Sequence, residues 1–152
     1  MSVTEKLKEL GISIPQAPKP VAAYVPAVTS GDILYTSGQV PVTEGKLQYE
    51  GKVGTQVTLE QARTSARICA INSLAAAKSI LGDLDKIDRV LQVHGFVNAA
   101  EGFYDFAKVI DGASLFLKEI FGEAGEHARF AVGAAGLPLN APVEIEIVYR
   151  IK

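Results

Sequence analysis

The spacing of apolar residues changes several times along this chain, and each change marks a predicted element. Residues 4–10 read as a short helix, with Thr4 as N-cap and Gly11 as its stop. A stretch marked by Pro15, Pro18 and Pro20 reads as an extended lead-in. Residues 21–28 and 33–37 read as two strands, and the turn at 29–32 makes them a hairpin. Gly38 and Pro41 punctuate the exit, and residues 43–55, rich in glycine and charge, read as the most mobile surface loop. Thr58 then caps a long helix with Gln61 at the capping-box position, and Gly82 ends it. Leu59, Ala62, Ala66, Cys69, Ala70, Leu74, Ala77 and Leu81 form its apolar stripe, with enough alanine to lie close against a sheet. Residues 87–97 alternate as a strand. Residues 102–121 contain a second helix, with Val109, Ala113, Phe116, Leu117 and Ile120 inward and Gly122 as its stop.

Two strands close the pattern. Phe130 and Val132 alternate with small or polar neighbours, and a break at 136–140 separates them from residues 143–151. There, Val143, Ile145, Ile147 and Tyr149 fall on one face, and Glu144, Glu146, Val148 and Arg150 on the other. If these two strands pair, Arg129 and a glutamate meet over a floor of glycine and alanine. The order of elements implies an α+β fold, a mixed sheet with helices on one face, in a single domain over 1–152. One sheet face is left uncovered. Because Glu144 and Glu146 project from a central-looking strand, oligomerisation around that face is expected.

Composition narrows the chemistry. At 152 residues and 48% hydrophobic, the chain suits one well-packed core. A net charge of −2 without any basic run gives no footprint for nucleic acid or a membrane surface. No apolar run reaches spanning length, the N-terminus lacks a signal-peptide core, and a single cysteine forbids an internal disulfide, so a soluble cytoplasmic protein is expected. His94 and His127 lack partner ligands at metal-binding spacings, and no nucleotide loop or nucleophile elbow is present. Chemistry without metal or cofactor is the expectation.

Arg129 is followed by small residues that leave room for a ligand, and its guanidinium offers a bidentate fork to a small carboxylate. The rival reading, an ion pair with Glu144 or Glu146, stays open on residues alone. Glu144 suits acid–base work, but on residues alone the partnered structural charge is the stronger reading. Cys69 reads as an inert buried thiol and His94 as a hydrogen-bonded strand residue. His127 shares a strand face with Arg129 and borders any pocket there.

The arginine, the Leu137-Pro138 break, the Val-Glu-Ile-Glu strand, Tyr24, the Tyr35–Pro41 segment and the alanine-rich helix occur together in an order that resembles the RidA/YjgF family of imine deaminases. The resemblance runs from about residue 20 to the C-terminus. It implies a chorismate-mutase-like fold and a homotrimer with sites between subunits. It also implies hydrolysis of reactive 2-imino or 2-enamino acids, such as 2-aminoacrylate and its tautomer 2-iminopropanoate, to 2-keto acids and ammonia. By the same resemblance Arg129 anchors the substrate carboxylate and Glu144 activates water. Tyr24, Ser37 and Gly38 shape the wall, the Ala131 N–H donates to the carboxylate, and Glu146 is structural. The chain departs from the family pattern at Ala131, where relatives often carry cysteine. It departs also in the small segment Gly133 to Gly136 and in lacking an alignable pocket asparagine near 111–114. These departures imply a less typical subgroup with a wider pocket. The rival classes are a non-catalytic carboxylate-binding or regulatory trimer and, against the acidic charge, an endoribonuclease. Chorismate mutase activity would rest on fold analogy alone.

Overall fold

A computed structural model of the protein describes residues 1–17, 19 and 22–152. Helix α1 (Val3–Glu9) is capped by Ser2 rather than by Thr4. Ser2 Oγ accepts from the Glu5 N–H while the Glu5 carboxylate accepts from the Ser2 N–H, which satisfies both orphan donors. Thr4 is drawn away to Asp85, whose Oδ1 accepts from its N–H and hydroxyl. Pro18, Pro20 and Val21, parts of the predicted lead-in and first strand, lie outside the described residues.

Strands β1 (Ala27–Ser30) and β2 (Ile33–Thr36) form the expected hairpin, but β1 starts late. Pro26 has no N–H to offer a ladder, so pairing begins after it and Tyr24 precedes the strand. The turn contracts to Gly31 and Asp32, with Gly31 at φ +60°, the conformation a two-residue hairpin loop demands. The predicted surface loop is tied down. Strands β3 (Val42–Thr43) and β4 (Lys46–Leu47) pair within it, and Val53 is fully buried. The Val53 N–H donates to the Asn98 carbonyl, and the Ala100 N–H donates to the Val53 carbonyl.

Helix α2 (Leu59–Leu81) carries the Thr58–Gln61 capping box and ends at Gly82, as its sequence predicts. Strand β5 (Ile87–Asn98), helix α3 (Phe106–Phe121), strand β6 (Ala128–Ala134) and strand β7 (Val143–Ile151) complete the fold. The main sheet runs β1-β2-β7-β5-β6, antiparallel except for the β5/β6 pair, which is parallel because α3 carries the chain back across. Both α2 and α3 cover one face of this mixed sheet, so the α+β prediction holds. They lie so close that a Cβ on Gly112 would sit 2.1 Å from the Arg63 carbonyl oxygen. Val143, Ile145, Ile147 and Tyr149 all point into this core with no exposure. Cys69 is buried there too, its thiol 3.8 Å from the Val143 carbonyl oxygen.

Among the described residues no helix packs against the opposite sheet face. Across it run rows set by register: Val28, Tyr35 and Val148; Glu146, His94 and Phe130; Glu144, Phe96 and Val132. Val28, Tyr35, Phe130 and Val132 are exposed large apolar side chains. Exposed apolar side chains gathered on one sheet face are a feature that can mark an interface. Among the described residues no helix is long and apolar enough to cross a membrane.

Candidate functional site

The two strands expected to bring arginine and glutamate together do not pair, because β5 lies between them. Arg129 registers with Val93 and Ile147 and so projects toward the helices, whereas Glu144 registers with Phe96 on the uncovered face. Two strand spacings sideways and three residues lengthwise separate their Cα atoms by about 14 Å. Within one chain the candidate residues therefore form two separate clusters.

The first cluster surrounds Arg129 on edge strand β6. Its Nη1 donates to Asp111 Oδ1 at 2.8 Å and to Ser114 Oγ at 3.0 Å, and Nη2 donates to the Ala107 carbonyl at 3.2 Å. The ion pair is thus with Asp111 on α3, not with Glu144 or Glu146. Those bonds use three of a guanidinium's five N–H donors. Among the described residues Nε–H and one Nη2–H stay unengaged, and the side chain is 24% exposed. His127 does share the Arg129 face, and it touches Ser114 at 2.9 Å and the Gly125 carbonyl at 2.6 Å. Burial holds its pKa below the usual value, and the Arg129 charge adds to that, against an opposing pull from the Gly125 carbonyl. Ala131 lies two residues along, on the same face and on the open edge of the sheet.

The second cluster surrounds Glu144. Residues 37–39 extend the sheet beside β7, with Gln39 and Ile145 exchanging both backbone hydrogen bonds. A Cβ on Gly38 would come within 2.8 Å of Glu144 Oε1, so glycine there makes room for the carboxylate. Ser37 donates its hydroxyl to the Val25 carbonyl at 2.6 Å and its N–H to Pro26, which fastens the segment carrying Tyr24. Tyr24 itself is 56% exposed. Among the described residues the Glu144 carboxylate accepts no hydrogen bond. Partial burial raises its pKa above the ordinary carboxylate value, and the nearby Glu146 charge adds to the rise. Glu146 instead takes the Nδ1 side of His94 at 3.0 Å, and the His94 ring stacks on Phe130.

A family model described as "YjgF/chorismate_mutase-like, putative endoribonuclease" matches residues 4–151. The chain belongs to the RidA/YjgF family. Protein TCP17 of Trypanosoma cruzi is 37% identical over 98% of this chain and 94% of its own length. The 2-iminobutanoate/2-iminopropanoate deaminase of Dermatophagoides farinae is 30% identical over 93% and 95% respectively. A crystal structure of a protein of unknown function from Agrobacterium tumefaciens superposes with TM-score 0.91 at 45% identity, covering 99% of this chain and 92% of its own.

The departures of this family member look different in three dimensions. The space a side chain at Gly133 would occupy holds the Phe106 ring, 2.8 Å from an ideal Cβ, so the small residue does not widen a pocket there. Asp111 and Ser114, where no asparagine aligned, supply the Arg129 contacts instead. Their three-residue spacing places them together on one flank of α3, a signal present in the sequence. Lys52 was also missed. Its ammonium donates to Asn98 Oδ1 at 2.9 Å and to the Ala135 carbonyl at 2.7 Å, and Asn98 donates on to Asn140. The turn before β7, where Leu139 and Asn140 take positive φ, is fastened by this network. Among the described residues no group of three or more acidic, histidine or cysteine side chains is placed to hold a metal.

Proposed function

We propose that the protein is a homotrimeric imine deaminase, converting reactive 2-imino acids to 2-keto acids and ammonia. The observation carrying this reading is the state of Arg129. Its guanidinium is clamped on one side by Asp111, Ser114 and Ala107 while Nε–H and one Nη2–H remain for a carboxylate. The site would be completed between copies, with Tyr24, Ser37, Gly38 and Glu144 of a neighbouring protomer facing Arg129 and the Ala131 N–H. The separation of the two clusters within one chain supports that division, as does the apolar sheet face free to bury itself.

Hydrolysis needs one water and no external reagent. Glu144 would take a proton from water as the oxygen adds to the imine carbon, then return it to nitrogen. As the resulting carbinolamine collapses, its hydroxyl proton passes to nitrogen, the C–N bond breaks, and ammonia leaves the keto acid behind. A carboxyl group with a raised pKa suits both directions of that transfer. Such imines also hydrolyse unaided, so orientation plus one acid–base group suffices.

The second reading is a carboxylate-binding trimer without chemistry, favoured by the existing Asp111–Arg129 pair. Ammonia release from enzymatically generated 2-aminoacrylate separates the two. Wild type should accelerate it, Arg129→Ala should abolish the acceleration, and Glu144→Gln should do the same while retaining pyruvate binding. A folded wild type that leaves the spontaneous rate unchanged while binding pyruvate would establish the binding reading instead.

A further inference from the structure

Behind Arg129 the hydrogen bonds run in one direction when His127 is neutral. The Gly125 carbonyl can only accept, so the 2.6 Å contact places a hydrogen on His127 Nδ1. In the neutral ring Nε2 is then an acceptor, and the Ser114 hydroxyl 2.9 Å away must donate to it. Donation to His127 turns the Ser114 lone pairs toward Arg129 Nη1 at 3.0 Å. The series therefore runs from arginine to serine to histidine to backbone, and each member fixes the next. Half-burial of the ring and the neighbouring cation both favour the neutral form on which this order depends.

Asp111 alone would not fix the guanidinium plane. A carboxylate oxygen accepts over a broad range of directions, so one contact leaves the plane free to roll about the side-chain axis. Ser114 adds a second acceptor on the same nitrogen, and His127, by holding the hydroxyl hydrogen, keeps its lone pairs turned there. The Ala107 carbonyl takes Nη2 on the far side. With both ends held, the unengaged edge, Nε–H and the second Nη2–H, keeps one orientation. A planar carboxylate needs that for two parallel hydrogen bonds.

We propose that Ser114 and His127 are positioning residues for the substrate carboxylate, holding the roll of the Arg129 guanidinium so that its free edge faces the ligand. The proposal rests on the reading of Arg129 as the carboxylate anchor. It predicts preference for planar carboxylates over anions that need only one contact, and it assigns His127 a role at a distance from the reacting atoms.

The test compares Ser114→Ala, His127→Phe and the double variant, with Ser114→Thr as the variant that keeps the hydroxyl. KM and kcat are measured on enzymatically generated 2-aminoacrylate. Affinity for pyruvate, the unreactive keto-acid product, is measured by calorimetry, and the His127 tautomer by nitrogen NMR. Losing one oriented charge-assisted hydrogen bond should raise KM and the pyruvate Kd about tenfold, with kcat changed by less than about threefold. Because the contacts act in series, the double variant should match Ser114→Ala alone, and Ser114→Thr should behave as wild type. A merely structural role would lower the melting temperature and leave KM and Kd in place, which would overturn the proposal. So would an Nε2–H tautomer in the wild-type protein. If wild type binds pyruvate without accelerating hydrolysis, weaker binding in Ser114→Ala still supports the positioning role while the deaminase reading fails. If wild type is an active deaminase and both variants keep its KM, only the positioning role fails.

Discussion

Arg129 and Glu144 sit in opposite kinds of surroundings. Arg129 is held by hydrogen bonds to the Asp111 carboxylate, the Ser114 hydroxyl and the Ala107 carbonyl, with His127 fixing the serine. Around Glu144 the restraint is shape. Gly38 leaves it a recess, and among the described residues no hydrogen bond holds its carboxylate. The difference follows the two tasks. A binding group gains from being fixed before the ligand arrives, because the ordering cost is then met by folding. A proton carrier gains from keeping its oxygens free and its pKa near the working pH.

The sharpest way to break this contrast is to fill the recess. Gly38→Ala places a methyl carbon 2.8 Å from Glu144 Oε1, closer than van der Waals contact allows, so the carboxylate must shift and kcat should fall, by up to about a hundredfold if the shift nears about 1 Å. Stability should barely change, since the far end of a flexible side chain gives way; steady-state kinetics beside a thermal melt would show both. Next comes Asp111→Ala, which releases the clamped end. It should raise KM about tenfold and cost about 1 kcal/mol of stability by denaturant titration, modest because the ion pair is partly exposed. The smallest effect tests the electrostatics of Glu144. Glu146→Gln removes a charge that raises the Glu144 pKa but keeps an oxygen for the His94 ring. The acid limb of the kcat profile should then move to lower pH, yet stay above the ordinary carboxylate range because burial, the larger cause, remains. The sign of the stability effect follows. Folding raises this pKa, so ionisation of Glu144 costs stability as pH rises through its folded value, and the variant should flatten that loss.

The sequence carried the elements better than their neighbours. Thr58, Gln61 and Gly82 bound α2 through local chemistry, and the alternation of β7 sorts its two faces without error. Both are short-range effects. Which strand lies beside β6 is long-range, and alternation says nothing about it. The strand–helix–strand order of β5, α3 and β6 did hold the answer, since such a unit returns in parallel to the same sheet. Reading the last two strands as partners ignored that constraint. Arg129 was legible as a candidate because small residues follow it, but its partners on α3 depend on how a helix settles over a sheet. Val53 escaped for a similar reason: one apolar residue among glycines and charges has no period, and only tertiary contact buries it.

The sheet order has a consequence for how the molecule is made. β7 pairs with β2 on one side and β5 on the other, so the two earlier parts of the sheet are joined by the strand translated after both. Until residues 143–151 leave the ribosome, β2 and β5 each present an unpaired edge, and the Ile33–Arg150 pairing closes only at the end. Nascent chains should thus pass through an interval of exposed edges, vulnerable to wrong partners and suited to chaperone capture. Synonymous changes that slow decoding just before β7 would lengthen that interval without altering a single side chain.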